Sequence, residues 1–246
     1  MLEIRSVEQS FMSGSGILRV IDNLSLSISD GQFVVLLGPS GCGKSTLLRL
    51  IAGLEQPSSG KVLIDGVAPD PRSKHTLGFV FQEPALLPWR TLLRNVMLGL
   101  EARGMKESQR RPLAGQMLRL LGLDGFETFY PHQVSGGMKH RVAIARAYIL
   151  DPIILLMDEP FVALDAQTRE DLQQELVRLW SQQRRTVVFV THSLEEAIVL
   201  GTRVIVFSRR PASVLLDRVI DLPYPRDPVD GDFVTIRQEL RGLLAH

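Results

Sequence analysis

Two kinds of apolar pattern run along the chain. Leu24-Ser25-Leu26-Ser27-Ile28 alternates apolar and polar residues, the period-two signature of a strand with one wet face. Lys61 to Ile64, followed by Asp65-Gly66, predicts a strand that ends in a tight turn. These segments predict an antiparallel β-subdomain near the N-terminus. The second kind is apolar throughout: Phe33 to Leu37, Ile153 to Met157, Val187 to Val190 and Val204 to Phe207. Uninterrupted apolar runs of this length fit strands covered on both faces, and helical patterns separate most of them. The expected fold class is therefore α/β with a parallel-sheet core.

Between about Pro84 and Pro131 the strand signals stop. Leu92, Leu93, Val96 and Leu100 share one helical face, and Leu113, Met117, Leu120 and Leu121 a second. Pro112 is expected in the first turn of that second helix, where a missing N–H matters least. The stretch of about 84–150 predicts a helical subdomain inserted in the α/β core of one domain spanning 1–246. After about Ser208 prolines at 211, 223, 225 and 228 cut the chain into short pieces. A short tail, about 214–246, is expected to close with a helix from Asp232, with Phe233, Ile236, Leu240 and Leu243 on one face.

The densest local signal is Gly38-Pro39-Ser40-Gly41-Cys42-Gly43-Lys44-Ser45-Thr46, a G-x-x-x-x-G-K-[ST] match. An apolar strand runs into it. A helical pattern leaves it, with Leu47, Leu50, Ile51 and Leu54 on one face and Gly53 as its stop. Glycines let such a loop turn its N–H groups inward toward phosphate oxygens, and the helix start adds a positive dipole end. Lys44 is expected on the β- and γ-phosphates of ATP and Ser45 on Mg²⁺. The run of apolar residues to Met157 ends in Asp158-Glu159. Acids at the C-terminal edge of a parallel strand lie where ligands bind in such sheets. Asp158 suits Mg²⁺, directly or through water, and Glu159 suits activation of the attacking water.

Composition narrows the setting. The formal charge is +1, which argues against nucleic acid as the main partner. One cysteine, Cys42, leaves no internal disulfide to form and fits a reducing compartment. The start Met1-Leu2-Glu3-Ile4-Arg5 lacks a signal-peptide pattern, and no apolar run reaches the roughly 18 residues of a membrane span. The expectation is a cytoplasmic protein whose membrane link, if any, runs through a partner.

Several further segments join these two motifs in one pattern. Val134-Ser135-Gly136-Gly137-Met138-Lys139-His140-Arg141 resembles the L-S-G-G-Q signature of ATP-binding cassette (ABC) proteins. Gln82 resembles that family's Q-loop residue, Ala163-Leu164-Asp165 its D-loop, and Thr191-His192 its switch histidine. Phe11 stands where the family keeps an aromatic that stacks on adenine; a core position is the competing reading for this residue. Within the family, Val80 to Trp89 and the Met in the signature are similar to the nitrate/sulfonate/taurine group of importer ATPases.

The resemblance implies a P-loop NTPase fold and Mg-ATP hydrolysis in a head-to-tail pair, most simply a homodimer. Each ATP would lie between one subunit's P-loop and the Ser135-Gly136-Gly137 segment of the other. It implies that Gln82 senses Mg²⁺ and water, that His192 holds the γ-phosphate and positions Glu159, and that Asp165 lies at the pair interface. It also implies transmembrane permease subunits that meet the segment from Gln82 to about Arg94, a separate solute-binding protein, and a peripheral place on the cytoplasmic face of the inner membrane. Trp89 reads either as a permease contact or as a buried residue. The alternatives are an exporter or non-transport membrane-complex ATPase, and a soluble cassette acting on nucleic acid or ribosomes. Departures from the family pattern are Val134, His140, Val162 and Ser193.

Overall fold

The computed structural model describes residues 1–14, 16–70, 77–162 and 164–244. In chain order the elements are β1 (Leu2–Ser13), β2 (Gly16–Ile28), β3 (Phe33–Leu37), α1 (Lys44–Ile51), β4 (Ser59–Ile64), β5 (Leu77–Val80), α2 (Leu92–Val96), α3 (Leu98–Ala102) and α4 (Glu107–Leu120). There follow α5 (Gly136–Tyr148), β6 (Ile154–Asp158), α6 (Ala166–Gln183), β7 (Thr186–Thr191), α7 (Leu194–Leu200), β8 (Arg203–Phe207), β9 (Val214–Val219) and α8 (Gly231–Leu244). The chain divides into two compact units, 1–74 with 180–246, and 75–179.

The first unit holds two sheets. One is antiparallel, in the order β2-β1-β4, and carries the expected alternation: Leu24, Leu26 and Ile28 are buried while Ser25 and Ser27 face solvent. Asp65 and Gly66 both have positive φ, and Ile64 and Val67 exchange backbone hydrogen bonds around them, so this is a two-residue hairpin turn. A bulge in β1 near Ser6 interrupts the register with both neighbours. It turns the Ser6 carbonyl onto Gly60, where a Cβ would collide with backbone.

In the other sheet of this unit β3 lies between β7 and β8 and is parallel to both. Every residue of β3 and β7 is buried, which accounts for the apolar runs Phe33 to Leu37 and Val187 to Val190. Phe33 meets Trp180 edge-on at 5.9 Å and Phe189 at 6.0 Å. The antiparallel β9 on β8 is a strand that the sequence pattern does not announce. The proline-rich tail is fastened by backbone carbonyls: Arg226 donates to Ile198 O at 2.5 Å and Gly201 O at 2.6 Å, and Tyr224 to Leu200 O at 2.5 Å. Phe233, Ile236 and Leu240 of α8 are buried as expected.

The second unit has a parallel pair, β5 and β6, with α2 to α5 between them in sequence. Leu92, Leu93, Val96 and Leu100 are all buried, but on two short helices joined at Met97 instead of one. In α4 the buried stripe is Ala114, Leu118 and then Leu121; Leu113 is exposed, and Met117 and Leu120 are only partly covered. Of the expected face Leu121 is buried; earlier in the helix the stripe is displaced by one residue, from Leu113 and Met117 to Ala114 and Leu118. Pro112 lies inside α4, not in its first turn. The amide it lacks would have bonded the carbonyl of Ser108, which is exposed where water can serve it. No helix among the described residues is long and apolar enough to cross a membrane.

Gly60 and Gly66 separate two costs of replacing a left-handed glycine. Both have φ near +80°, but a Cβ at Gly66 meets nothing within 4 Å. Gly66→Ala should cost about 1 kcal/mol. Gly60→Ala should cost about 2–4 kcal/mol, because backbone must also shift. Urea midpoints of the two variants measure the difference.

Candidate functional site

The phosphate-loop motif forms as a loop between β3 and α1. Gly41 and Gly43 have φ of 76° and 122°, values that a side chain would strain. Gly38 is held close: a Cβ there would lie 3.2 Å from Cys42 Sγ and from Phe207. Cys42 is buried beneath the loop, so its role is packing. The buried Lys44 donates to Gly38 O at 2.8 Å and Pro39 O at 2.9 Å, which holds its ammonium over the loop. Ser45 and Thr46 complete the first residues of α1, and Ser40 is exposed on the loop.

The helix start itself is unusual within this chain. Amides of a first turn have no acceptor inside the helix. Thr91, Ser135, Asp165 and Ser193 cap α2, α5, α6 and α7, and α3, α4 and α8 carry an acid in the first turn. Among the described α-helices, α1 alone has neither. With no side-chain cap and no acid of its own there, the positive dipole end of α1 suits an anion. Gly53, with φ 69°, ends the helix as expected: its amide bonds Leu50 O and that of Leu54 bonds Arg49 O, a Schellman pattern.

The sheet register brings His192 to the same loop. Leu37 pairs with Thr191, so Gly38 and His192 each begin one residue past the end of adjacent parallel strands. The turn that presents His192 is fixed by Thr191 Oγ1, which donates to Glu196 at 2.5 Å and accepts from Ser193 N at 3.0 Å. Ser193, where the resemblance expects aspartate, caps α7 through Glu196 N at 3.3 Å, a task either residue performs. Phe11 sits on β1 opposite Leu18, 38% exposed. The same hairpin packs on the loop through Val20, 3.0 Å from a Cβ at Gly43.

The second unit gathers the other residues. Val80 pairs with Met157, so Gln82 and the pair Asp158-Glu159 lie at the C-terminal ends of adjacent parallel strands. Asp158 is buried and Glu159 partly so. Glu159 has φ 43°, a left-handed conformation costing of order 1 kcal/mol or more that aims the residue off the strand. Among the described residues no cluster of three or more His, Cys, Asp or Glu could hold a metal. Asp158 is an oxygen donor of the kind Mg²⁺ takes, in company with water and substrate phosphate.

The signature segment forms the start of α5, with Ser135 at the N-cap. Ser135 Oγ accepts from Met138 N at 3.3 Å. A Cβ at Gly136 meets nothing within 4 Å, whereas at Gly137 it would lie 2.5 Å from Thr168 Cγ2. Thr168 cannot easily turn away, because Asp165 accepts from its amide at 3.0 Å and its hydroxyl at 2.8 Å. These bonds, led by the backbone one, hold the Asp165 carboxyl below its usual range. Of the D-loop residues, Ala163 lies outside the described residues. Val162 is 45% exposed and Trp89 71% exposed, so Trp89 is not a core residue. Thr168 was not anticipated, although Asp-x-x-Thr at a helix start is a legible capping pattern.

The fold and this motif set define an ATP-binding-cassette ATPase. A profile of the ABC transporter family matches residues 21–162, more than half of the chain, and the chain belongs to that family. It is 45% identical over 244 residues to an uncharacterised ABC transporter ATP-binding protein of Methanocaldococcus jannaschii, covering 99% of this chain and 91% of that protein. It is 42% identical over 241 residues to the aliphatic sulfonates import ATP-binding protein SsuB of Bacillus cereus, covering 97% and 94%. A solved dimeric, post-hydrolysis ATP-binding cassette bound to ADP and Pi superposes with a TM-score of 0.81 at 35% identity, covering 91% of this chain and all of that one.

The two signature glycines should respond differently to one added methyl. Gly136→Ala should leave the thermal midpoint unchanged or slightly raised, since alanine favours a helix by roughly 0.5–1 kcal/mol. Gly137→Ala should lose about 1–3 kcal/mol. Adding Thr168→Ser, which keeps the hydroxyl and removes Cγ2, should restore most of that loss.

Proposed function

We propose that the protein is the energising subunit of an importer for a small anionic solute of the sulfonate, taurine or nitrate type. The observation that carries its nucleotide chemistry is the uncapped start of α1 with Lys44 folded over the loop before it. The likeness to an aliphatic sulfonate import protein supports the direction and solute class. Permease subunits would receive the motion at the exposed segment around Trp89, with a solute-binding protein acting through them. The chain would then sit peripherally on the cytoplasmic face of the membrane.

The proposed division of work follows the motif each residue belongs to. Lys44 and the α1 amides bind the phosphates, Ser45 and Asp158 hold Mg²⁺, and Phe11 stacks on the base. Bound there, Mg²⁺ would supply positive charge against the phosphate oxygens. Glu159 takes a proton from the attacking water as its oxygen bonds the γ-phosphorus and the bond to the bridging oxygen breaks. His192 contacts the γ-phosphate, and Gln82 orients the water.

A second exposed helix start, at Ser135-Gly136-Gly137, supports a head-to-tail pair. One chain carries two starts suited to phosphate, and the second would close on the nucleotide of a partner copy. The dimeric cassette with ADP and Pi supports this reading.

Glu159→Gln should bind ATP normally, lose turnover by about a hundredfold or more, and accumulate as a nucleotide-bound dimer. Turnover and size-exclusion chromatography with ATP measure both effects, and wild-type turnover would falsify the assignment of Glu159. Ser135→Arg should keep ATP affinity in the single chain and abolish ATP-dependent pairing; a variant that still pairs would rule out the role in trans. Recovery of a multi-span membrane protein with tagged Glu159→Gln in gentle detergent tests the transport role, and soluble partners alone would refute it.

A further inference from the structure

The Q-loop begins at Gln82, just past the end of β5. Helix α5 grips it by three backbone carbonyls. Arg146 donates to Ala85 O and Pro84 O, both at 2.7 Å. One and a half turns nearer the helix start, His140 is buried with Nε2 3.3 Å from Gln82 O and Nδ1 3.0 Å from Gly136 O. His140 thus stands between the carbonyl of Gln82 and the first turn of the signature helix.

Both of its neighbours are acceptors, and a neutral imidazole carries one N–H. The ring therefore serves one carbonyl at a time. Gly136 O also lies in reach of the helix's own i→i+4 ladder, whereas Gln82 follows the end of β5 and has left its strand. We propose that His140 is a positioning residue for hydrolysis: through Nε2 it fixes the backbone of Gln82, so that the Gln82 side chain moves with the signature helix. The Arg146 pair fixes the loop farther on, and together they make Gln82 to Ala85 and α5 one mechanical unit. Closure of the pair on α5 would then be felt at Gln82 of the same chain. This rests on the reading of Gln82 given above.

The two neutral tautomers have side-chain mimics. The amide of glutamine presents its NH₂ near the place of Nε2, and that of asparagine near the place of Nδ1. Steady-state ATP turnover of the purified protein should fall about tenfold or more in His140→Asn, with KM for ATP little changed, and stay within about twofold of wild type in His140→Gln. A role confined to the first turn of α5 predicts the reverse order, and that order overturns the inference. So do equal rates in the two variants. In a Gln82→Ala background, His140→Asn should cause no further loss, whereas multiplied losses would show that His140 acts elsewhere.

Gln82→Ala alone separates the two levels. If it leaves turnover intact, the role given to Gln82 fails and this inference with it. If it is crippled while His140→Asn is not, only the inference fails. Hydrogen exchange, which needs no turnover, gives a second reading: peptides covering Gln82 to Trp89 should exchange faster in His140→Asn than in His140→Gln, and equal exchange would refute the grip.

Discussion

The demand that a helix start makes on its surroundings organises this molecule. Amides in a first turn have no partner within the helix and must find one elsewhere. In α2, α5, α6 and α7 a hydroxyl or carboxylate accepts from one of these amides. In α1 no side-chain cap does, and glycines precede it at Gly41 and Gly43. The sheet behind it exists to hold that exposed end still. Five buried residues of β3 deliver the loop, and pairing on both sides fixes where the strand stops. A helix start without a side-chain cap, behind a glycine loop and beside a buried lysine, is suited to a phosphate group.

The parts legible in the sequence were those where one physical reason dominates. A strand buried on both faces is apolar over most of its length, so the runs within β3, β6, β7 and β8 could be read directly. The loop at 38–46 could be read because glycine spacing and lysine serve one geometry. Helix α4 was harder, because Leu113 and Ala114 are adjacent and each begins a plausible apolar stripe. Packing against α2 and α5 selects the stripe through Ala114, and that choice is tertiary. Strand β9 has no buried face to print a period on its sequence: it is an antiparallel edge, tied by the Arg203 guanidinium to Asp217 at 2.6 and 2.7 Å. Among the site residues, Thr168 and His140 act by what they touch, and touching is not written in a motif.

Charge inside the second unit shows position taking precedence over stability. Arg141 of α5 donates to Glu175 of α6 at 2.7 Å and to Leu121 O at 3.0 Å. Even so, the Glu175 carboxyl is pushed above its usual range, because burial outweighs the nearby guanidiniums. A pair whose desolvation exceeds its attraction adds little to stability. What it does add is direction. The guanidinium joins α5, α6 and the end of α4, and so sets how the signature helix is turned.

Glu159 is best understood from the same standpoint. A non-glycine residue with φ 43° sits there at a cost, and an acid with no special duty would relax into the strand. Its neighbours prevent that. Asp158 ahead of it is buried as the last residue of β6, Pro160 and Phe161 behind it are buried, and its own carbonyl accepts from Val162 N at 3.4 Å. The chain must leave the sheet in one step, and the left-handed turn is how it does so. Ala85, with φ 46°, is the matching case in the Q-loop, and there Arg146 holds the carbonyl. Other non-glycine residues, among them Ser6, Asn23, Asp65, Asp151 and Arg184, also have positive φ, but these two belong to segments that follow the paired strands β5 and β6. There the left-handed turns help to aim Gln82 to Ala85 and Asp158-Glu159, and the buried strand β6 and α5 supply the stiffness that keeps them in place.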